Sequence, residues 1–144
     1  MQRPRALNIL MWFCAIYAIG AFFGMVAVIT DLGRFLGGYS IGGMAVSREK
    51  WLTTAAPLIA IVAIFMGVTA IGLKGNRYWP RAVFICIWPI IIVYGIGSAL
   101  LHAVPATLGL RAVIDASCVG AIAVWLLFVY KPSRSYFETI GKHS

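Results

Sequence analysis

Arg111 and Asp115 stand four residues apart in the last apolar part of the chain, and Tyr94, Ser98 and His102 recur every fourth residue in the part before it. A four-residue spacing places side chains on one face of a helix. Asp115 is the only acid within any long apolar stretch, so its presence there needs a reason. On paper Ser98, His102 and Asp115 make up a hydrolytic set. Yet Ser98 and His102 are only one helical turn apart, and no nucleophile elbow or oxyanion motif accompanies them. A single acid gives no carboxylate pair for general acid–base work. No residue is expected to be catalytic, to bind a cofactor or to ligate a metal, and the chain reads as a non-enzyme.

The elements that must position these groups are apolar. The hydrophobic fraction is 62%, the charged fraction 11% and the mean hydropathy +0.93, in 144 residues. A soluble domain is nearer half apolar and one quarter charged. Small proteins have too little interior to hide such an excess from water. Residues 6–30, 51–73 and 82–101 carry no charge, and residues 112–130 carry only Asp115. A spanning helix needs about 20 mostly apolar residues. Unpaired backbone cannot cross lipid, so the expected fold is an all-α membrane protein: four transmembrane helices in an antiparallel bundle. The chain reads as one membrane domain, 1–144, with a cytoplasmic tail at 131–144. The first run exceeds the core of a signal peptide, about 7–15 residues, and reads as a retained helix.

Charge sets the expected orientation. Twelve Lys and Arg stand against four Asp and Glu, a net charge of +8. The basic residues cluster beside apolar runs rather than along one polar face, and no nucleic-acid motif is present, so nucleic acid is not an expected partner. Arg3, Arg5, Lys74, Arg77, Arg81, Lys131, Arg134 and Lys142 would share one side. Arg34, Arg48, Lys50 and Arg111 would lie on the other, offset by Asp31, Glu49 and Asp115. The positive-inside bias then puts both termini in the cytoplasm. Trp12, Tyr78, Trp79 and Tyr130 would sit at the inner interface and Trp51 at the outer one, where amphipathic rings are favoured. His102 and His143, the only histidines, would face opposite sides, which excludes a bis-histidine haem within one chain.

Small residues recur at helix-packing spacing. Gly20-Ala-Phe-Phe-Gly24 lies in the first run, Ala63 and Gly67 in the second, and Ala116 and Gly120 in the fourth. Such positions let helix backbones approach closely, within one chain or between copies in a homo-oligomer. Cys14, Cys86 and Cys118 form no CxxC and read as small buried hydrophobes. Pro89 falls mid-way along the third helix, where it should produce a kink. Pro57 falls in early turns of the second, where proline is better tolerated.

Residues 31–50 form the longest connection and hold Gly33, Gly37, Gly38, Gly42 and Gly43 among apolar side chains. This Gly-rich outer loop is expected to lie on the membrane or fold back over the helices. Across residues 103–110 the third and fourth helices should be neighbours, with Ser98 and Asp115 at one depth in the outer leaflet. Asp115, Arg111, Ser98 and His102, with Tyr94 beneath, then form a polar cluster. It is open to three readings: an ion pair securing a helix end, a water-accessible cavity for a ligand or proton, or a contact for a partner helix.

Arg3-Pro4 before the first helix and the tail Tyr130-Lys-Pro-Ser-Arg-Ser-Tyr-Phe137 resemble a pattern in small bacterial four-helix inner-membrane proteins of uncharacterised function. The resemblance implies four helices in a bacterial inner membrane and brings no catalytic residue. The expected function is non-enzymatic binding of other membrane components: the lipid bilayer, with a membrane-protein partner or a homo-oligomer. Asp115 keeps a small transporter or channel open as the alternative. An immunity-type protein against a membrane-acting toxin is a third.

Overall fold

A computed structural model describes residues 3–32 and 38–141. Gly33, Arg34, Phe35, Leu36 and Gly37 of the expected loop, and Lys142 and His143, lie outside the described residues. The described chain is almost wholly helical. Four helices, Arg5–Ile29, Ala56–Lys74, Pro80–Leu100 and Ala106–Val129, are long and apolar enough to cross a membrane, which marks a multi-pass membrane protein.

Helix α1 is Arg5–Ile29. Strands β1, Tyr39–Ile41, and β2, Met44–Val46, form an antiparallel hairpin with Ile41 opposite Met44. Gly42 and Gly43 at its tip have φ of 58° and 84°. Two successive positive φ values are what a two-residue type I′ turn requires, and Gly-Gly supplies them without strain. Helix α2, Arg48–Thr54, begins at Ser47, whose side chain accepts from the Lys50 amide at 3.2 Å. Helix α3, Ala56–Lys74, follows after a break at Ala55. Pro57 explains the break: it has no N–H to offer the Thr53 carbonyl, and its ring crowds that carbonyl. The second apolar run is therefore two helices, not one.

Helix α4 is Pro80–Leu100, with Pro89 inside it. Helix α5, Ala106–Val124, starts six residues before the expected boundary at 112 and runs on through a π-helical turn, Trp125–Val129. That turn closes with the Tyr130 amide on the Trp125 carbonyl at 2.8 Å. The expected tail contains a further helix, α6, Lys131–Gly141, with Ser133, Tyr136 and Phe137 buried along one side.

Three helices end on a non-glycine residue with positive φ: Asp31, Asn76 and His102. Asn76 and His102 each close a two-bond C-terminal motif. The Asn76 amide reaches the Leu73 carbonyl and the Arg77 amide the Gly72 carbonyl, at 3.1 and 3.0 Å. The His102 and Ala103 amides reach Ala99 and Ser98, at 3.1 and 2.9 Å. Such bonds satisfy carbonyls that a helix end leaves open, and Asn, Asp and His tolerate the left-handed conformation better than most residues.

The main hydrophobic cluster lies in one half of the molecule, with Val28, Ala56 and Ala116 buried outside it. Leu7, Leu10 and Cys14 are buried near the start of α1, and Val62, Met66, Ala70 and Leu73 in the later part of α3. Phe84 and Ile87 join from the start of α4, Ala123 and Leu127 from the end of α5, and Phe137 from α6. These segments meet at the end of the molecule where α6 docks. Arg81 stacks there on Phe128 and Phe137, 5.1 and 5.5 Å from their ring centroids. Towards the hairpin end, α1 exposes Ile16, Ile19, Phe22, Phe23 and Ile29. Cys86 and Cys118 are exposed, so only Cys14 is the buried hydrophobe the sequence suggested.

The packing glycines divide. A Cβ at Gly67 would touch Ala18 of α1 at 3.7 Å, and one at Gly120 would crowd the Trp88 side chain of α4 at 3.1 Å. A Cβ at Gly20 or Gly24 would meet nothing within 4 Å, and both are exposed. Helices α4 and α5 approach closely at Gly109 of α5. A Cβ there would stand 2.7 Å from that of Ala99 and 2.8 Å from the Gly95 carbonyl oxygen, both on α4.

Candidate functional site

Beside the hairpin, α4 stands between α3 and α5, and a cleft of about 310 Å³ opens there. Its walls are Thr54, Ala55 and Leu58 at the α2–α3 break, Ile91, Tyr94, Gly95 and Ser98 on α4, and Leu108, Arg111, Ala112 and Asp115 on α5. Ile41 and Gly42 of the hairpin turn form its roof. Gly42 sits so close to Leu108 that an added Cβ would lie 2.5 Å from the leucine Cδ2. The lining is mostly apolar, with a few polar groups at its edges.

Of the five polar residues singled out, four line this cleft and one does not. Tyr94 donates its hydroxyl to the Thr54 carbonyl, tying α4 to the break before α3. Ser98 Oγ donates to the Gly95 carbonyl of its own helix at 3.2 Å. Arg111 Nε lies 3.7 Å from Asp115 Oδ2, with the two side chains 79% and 68% exposed. That separation is ionic contact without a hydrogen bond. His102 is exposed and absent from the lining, because α4 ends at Leu100 and His102 belongs to the turn that closes it. No hydrogen bond joins Ser98, His102 and Asp115. Among the described residues no group of three His, Cys, Asp or Glu could hold a metal ion.

The expected common depth of Ser98 and Asp115 gives way to a stagger. Gly95 faces Gly109, and Trp88 faces Gly120. Asp115 therefore falls at a level between Gly95 and Trp88, below Ser98. From the start of α5 it lies about 13 Å along the axis at the helical rise. The earlier start of α5 is the cause: Arg111, expected just outside the helix, is inside it.

Two further polar clusters hold the elements that frame the cleft. At the hairpin end, Arg48 donates Nε and Nη2 to the Val28 and Ile29 carbonyls at 2.9 and 2.5 Å. A cation there also meets the negative end of the helix dipole of α1. Asp31 accepts from the Tyr39 hydroxyl at 2.7 Å and pairs with Arg48 Nε at 3.9 Å, so hairpin, α1 and α2 are clasped together. At the other end, Arg3 donates to Asn76 Oδ1 at 2.7 Å, to the Lys74 carbonyl at 3.3 Å and to Asn8 Oδ1 at 3.2 Å. Its Nε approaches the Tyr136 hydroxyl oxygen at 3.4 Å. Arg3 and Arg48 count as basic residues in a topology argument, and nothing in their sequence neighbourhood announces these bonds. Asn76 carried a signal, since Gly-Asn after an apolar run is a helix-stop pattern.

No family model matches the sequence, and comparison with characterised proteins and with solved structures returns no match.

Proposed function

We propose that the protein is a small, non-enzymatic protein of a bacterial inner membrane that works by binding another membrane component in the cleft beside the hairpin. One observation carries this reading: the core lies at the α6 end, while the opposite half leaves an apolar cleft roofed by the hairpin. Unfilled apolar walls forfeit their contacts, so an occupant is favoured. The helices are read as an antiparallel bundle with both termini cytoplasmic. Arg3, Arg5, Lys74, Arg77, Arg81, Lys131 and Arg134 gather at the α6 end with Glu138 as their acid, whereas Arg48, Lys50 and Arg111 are offset by Asp31, Glu49 and Asp115. Purification from native membranes in mild detergent tests the binding reading. A stoichiometric membrane component should accompany the wild-type chain and be lost when Ser98→Phe fills the cleft. Repeated recovery of a bare chain overturns it.

Asp115 on the cleft wall favours one further reading, a small transporter or channel acting alone or as a homo-oligomer. Proton or solute flux in liposomes, abolished by Asp115→Asn, would support it; flux unchanged by that substitution removes Asp115 from the mechanism.

A further inference from the structure

The height of the cleft selects its occupant. It is closed above by Ile41, Gly42 and Leu108, and its lowest wall residues are Ile91 and Asp115, just above the core residue Ile87. From Leu108 to Asp115 the axial distance is about 10 Å at the helical rise. One leaflet of hydrocarbon is about 15 Å, half of a core about 30 Å thick. The cleft therefore lies within a single leaflet. A spanning helix of a partner is about 30 Å long and would find only about a third of its length in this cleft. The acyl chain of a lipid ends near mid-bilayer and is closer to the height of the cleft.

Charge selects the headgroup. The Arg111 guanidinium stands exposed on the cleft wall, and no hydrogen bond engages it; its ion pair with Asp115 is too long for one. A guanidinium without a hydrogen-bond partner at membrane depth is costly even with a carboxylate nearby, and its planar fork suits the oxygens of a phosphate. Asp115, one turn deeper, repels an anion, so a phosphate stops at Arg111 while an uncharged chain passes below it. Tyr94 and Ser98 have their hydroxyl protons committed to backbone carbonyls and do not compete as donors.

We infer that the cleft holds one acyl chain of an outer-leaflet phospholipid whose anionic headgroup is bound by Arg111. This rests on the binding reading above and names the class of ligand. The seat is built by the α2–α3 break, α4 and α5, with the hairpin as its lid on the aqueous side.

The test is lipid titration of the full, delipidated chain in detergent, followed by native mass spectrometry. The probes are phosphatidylglycerol and phosphatidylcholine with identical oleoyl chains. One phosphatidylglycerol should bind per chain in preference to phosphatidylcholine. Arg111→Gln should weaken phosphatidylglycerol about tenfold, the scale of one lost charge-assisted hydrogen bond, and weaken phosphatidylcholine, whose phosphate is offset by its own choline cation, by a smaller factor, so that the preference is lost. Ser98→Phe should abolish both. Arg111 is exposed, so its replacement leaves the fold intact and keeps the test decisive even if Ser98→Phe unfolds the chain. Equal binding of the two lipids, or an Arg111→Gln variant that keeps the preference, overturns the inference. So does a wild-type chain that binds neither lipid while a protein component co-purifies from native membranes, an outcome that leaves the broader binding reading standing. If neither lipid nor native component is retained, both readings fall.

Discussion

The Tyr136 hydroxyl donates to Asn76 Oδ1 at 2.7 Å, joining α6 to the α3–α4 turn across 60 positions of sequence. The same amide oxygen accepts from Arg3 Nη2, also at 2.7 Å, so two donors from opposite ends of the chain converge on one acceptor. Asn76 can present that oxygen because it occupies the left-handed position that ends α3, at φ 52°. Tyr136→Phe keeps the buried ring and removes the bond, and should destabilise the protein by about 1 kcal/mol. Unfolding midpoints in detergent measure this; an unchanged midpoint means the bond contributes nothing.

Asn76 has two separable roles. Asn76→Gly removes the acceptor but suits the backbone. Asn76→Ala removes the acceptor and strains a left-handed residue by a further 1–2 kcal/mol or so. Alanine should therefore be the more damaging of the two, and a reversed order in the same unfolding series would contradict the assigned helix-end geometry.

The glycines of α1 and α5 should respond in opposite ways. At Gly109 a side chain has no room between Ala99 and the Gly95 carbonyl, and Gly109→Leu should cost about 1–3 kcal/mol or displace α5. At Gly24 an added Cβ meets nothing within 4 Å, so Gly24→Ala should not destabilise the monomer. A Gly24→Ala variant that changes the oligomeric state in cross-linking, with no loss of unfolding stability, would identify α1 as a contact between copies.

Arg111 and Asp115 are coupled weakly at most. Their 3.7 Å contact is between largely exposed side chains one turn apart. Pairs of that kind contribute about 0.3–0.5 kcal/mol where water or detergent headgroups reach them. A cycle of Arg111→Leu, Asp115→Leu and the double variant should give an interaction of about that size. A coupling above about 1 kcal/mol would mean the pair closes into a hydrogen-bonded contact in the bilayer.

Sidedness is tested with single cysteines at exposed positions outside the spans, Ser40 in β1 and Ser135 in α6. In intact cells an impermeant thiol reagent should label Ser40→Cys, and Ser135→Cys only after permeabilisation. Labelling at 135 but not at 40 would invert the orientation.

The four spans were legible in the sequence, because apolar runs of spanning length with at most one charge have no other low-energy home. Their edges were less so. Arg111 interrupts the apolar run and drew the expected boundary to 112, but backbone hydrogen bonding does not stop at a charge, and α5 starts at Ala106. The β1–β2 turn carried a readable Gly-Gly signal that the surrounding glycines obscured. Helix α6 was masked by Lys131, Arg134 and Glu138, which interleave with its buried Ser133, Tyr136 and Phe137.

The chain alone determined that four apolar segments need lipid or one another, and that Tyr94 and Ser98 share a segment face, as do Arg111 and Asp115. Only the tertiary structure decided which apolar surface meets which. Gly20, Gly24, Gly67 and Gly120 look alike in sequence, yet the first two touch no neighbouring helix and the last two hold neighbouring helices. Lipid tails are as apolar as leucine, so hydropathy cannot tell a lipid-facing residue from one that faces a helix. Close packing makes that choice, and here it closed the α6 half and left a cleft in the other.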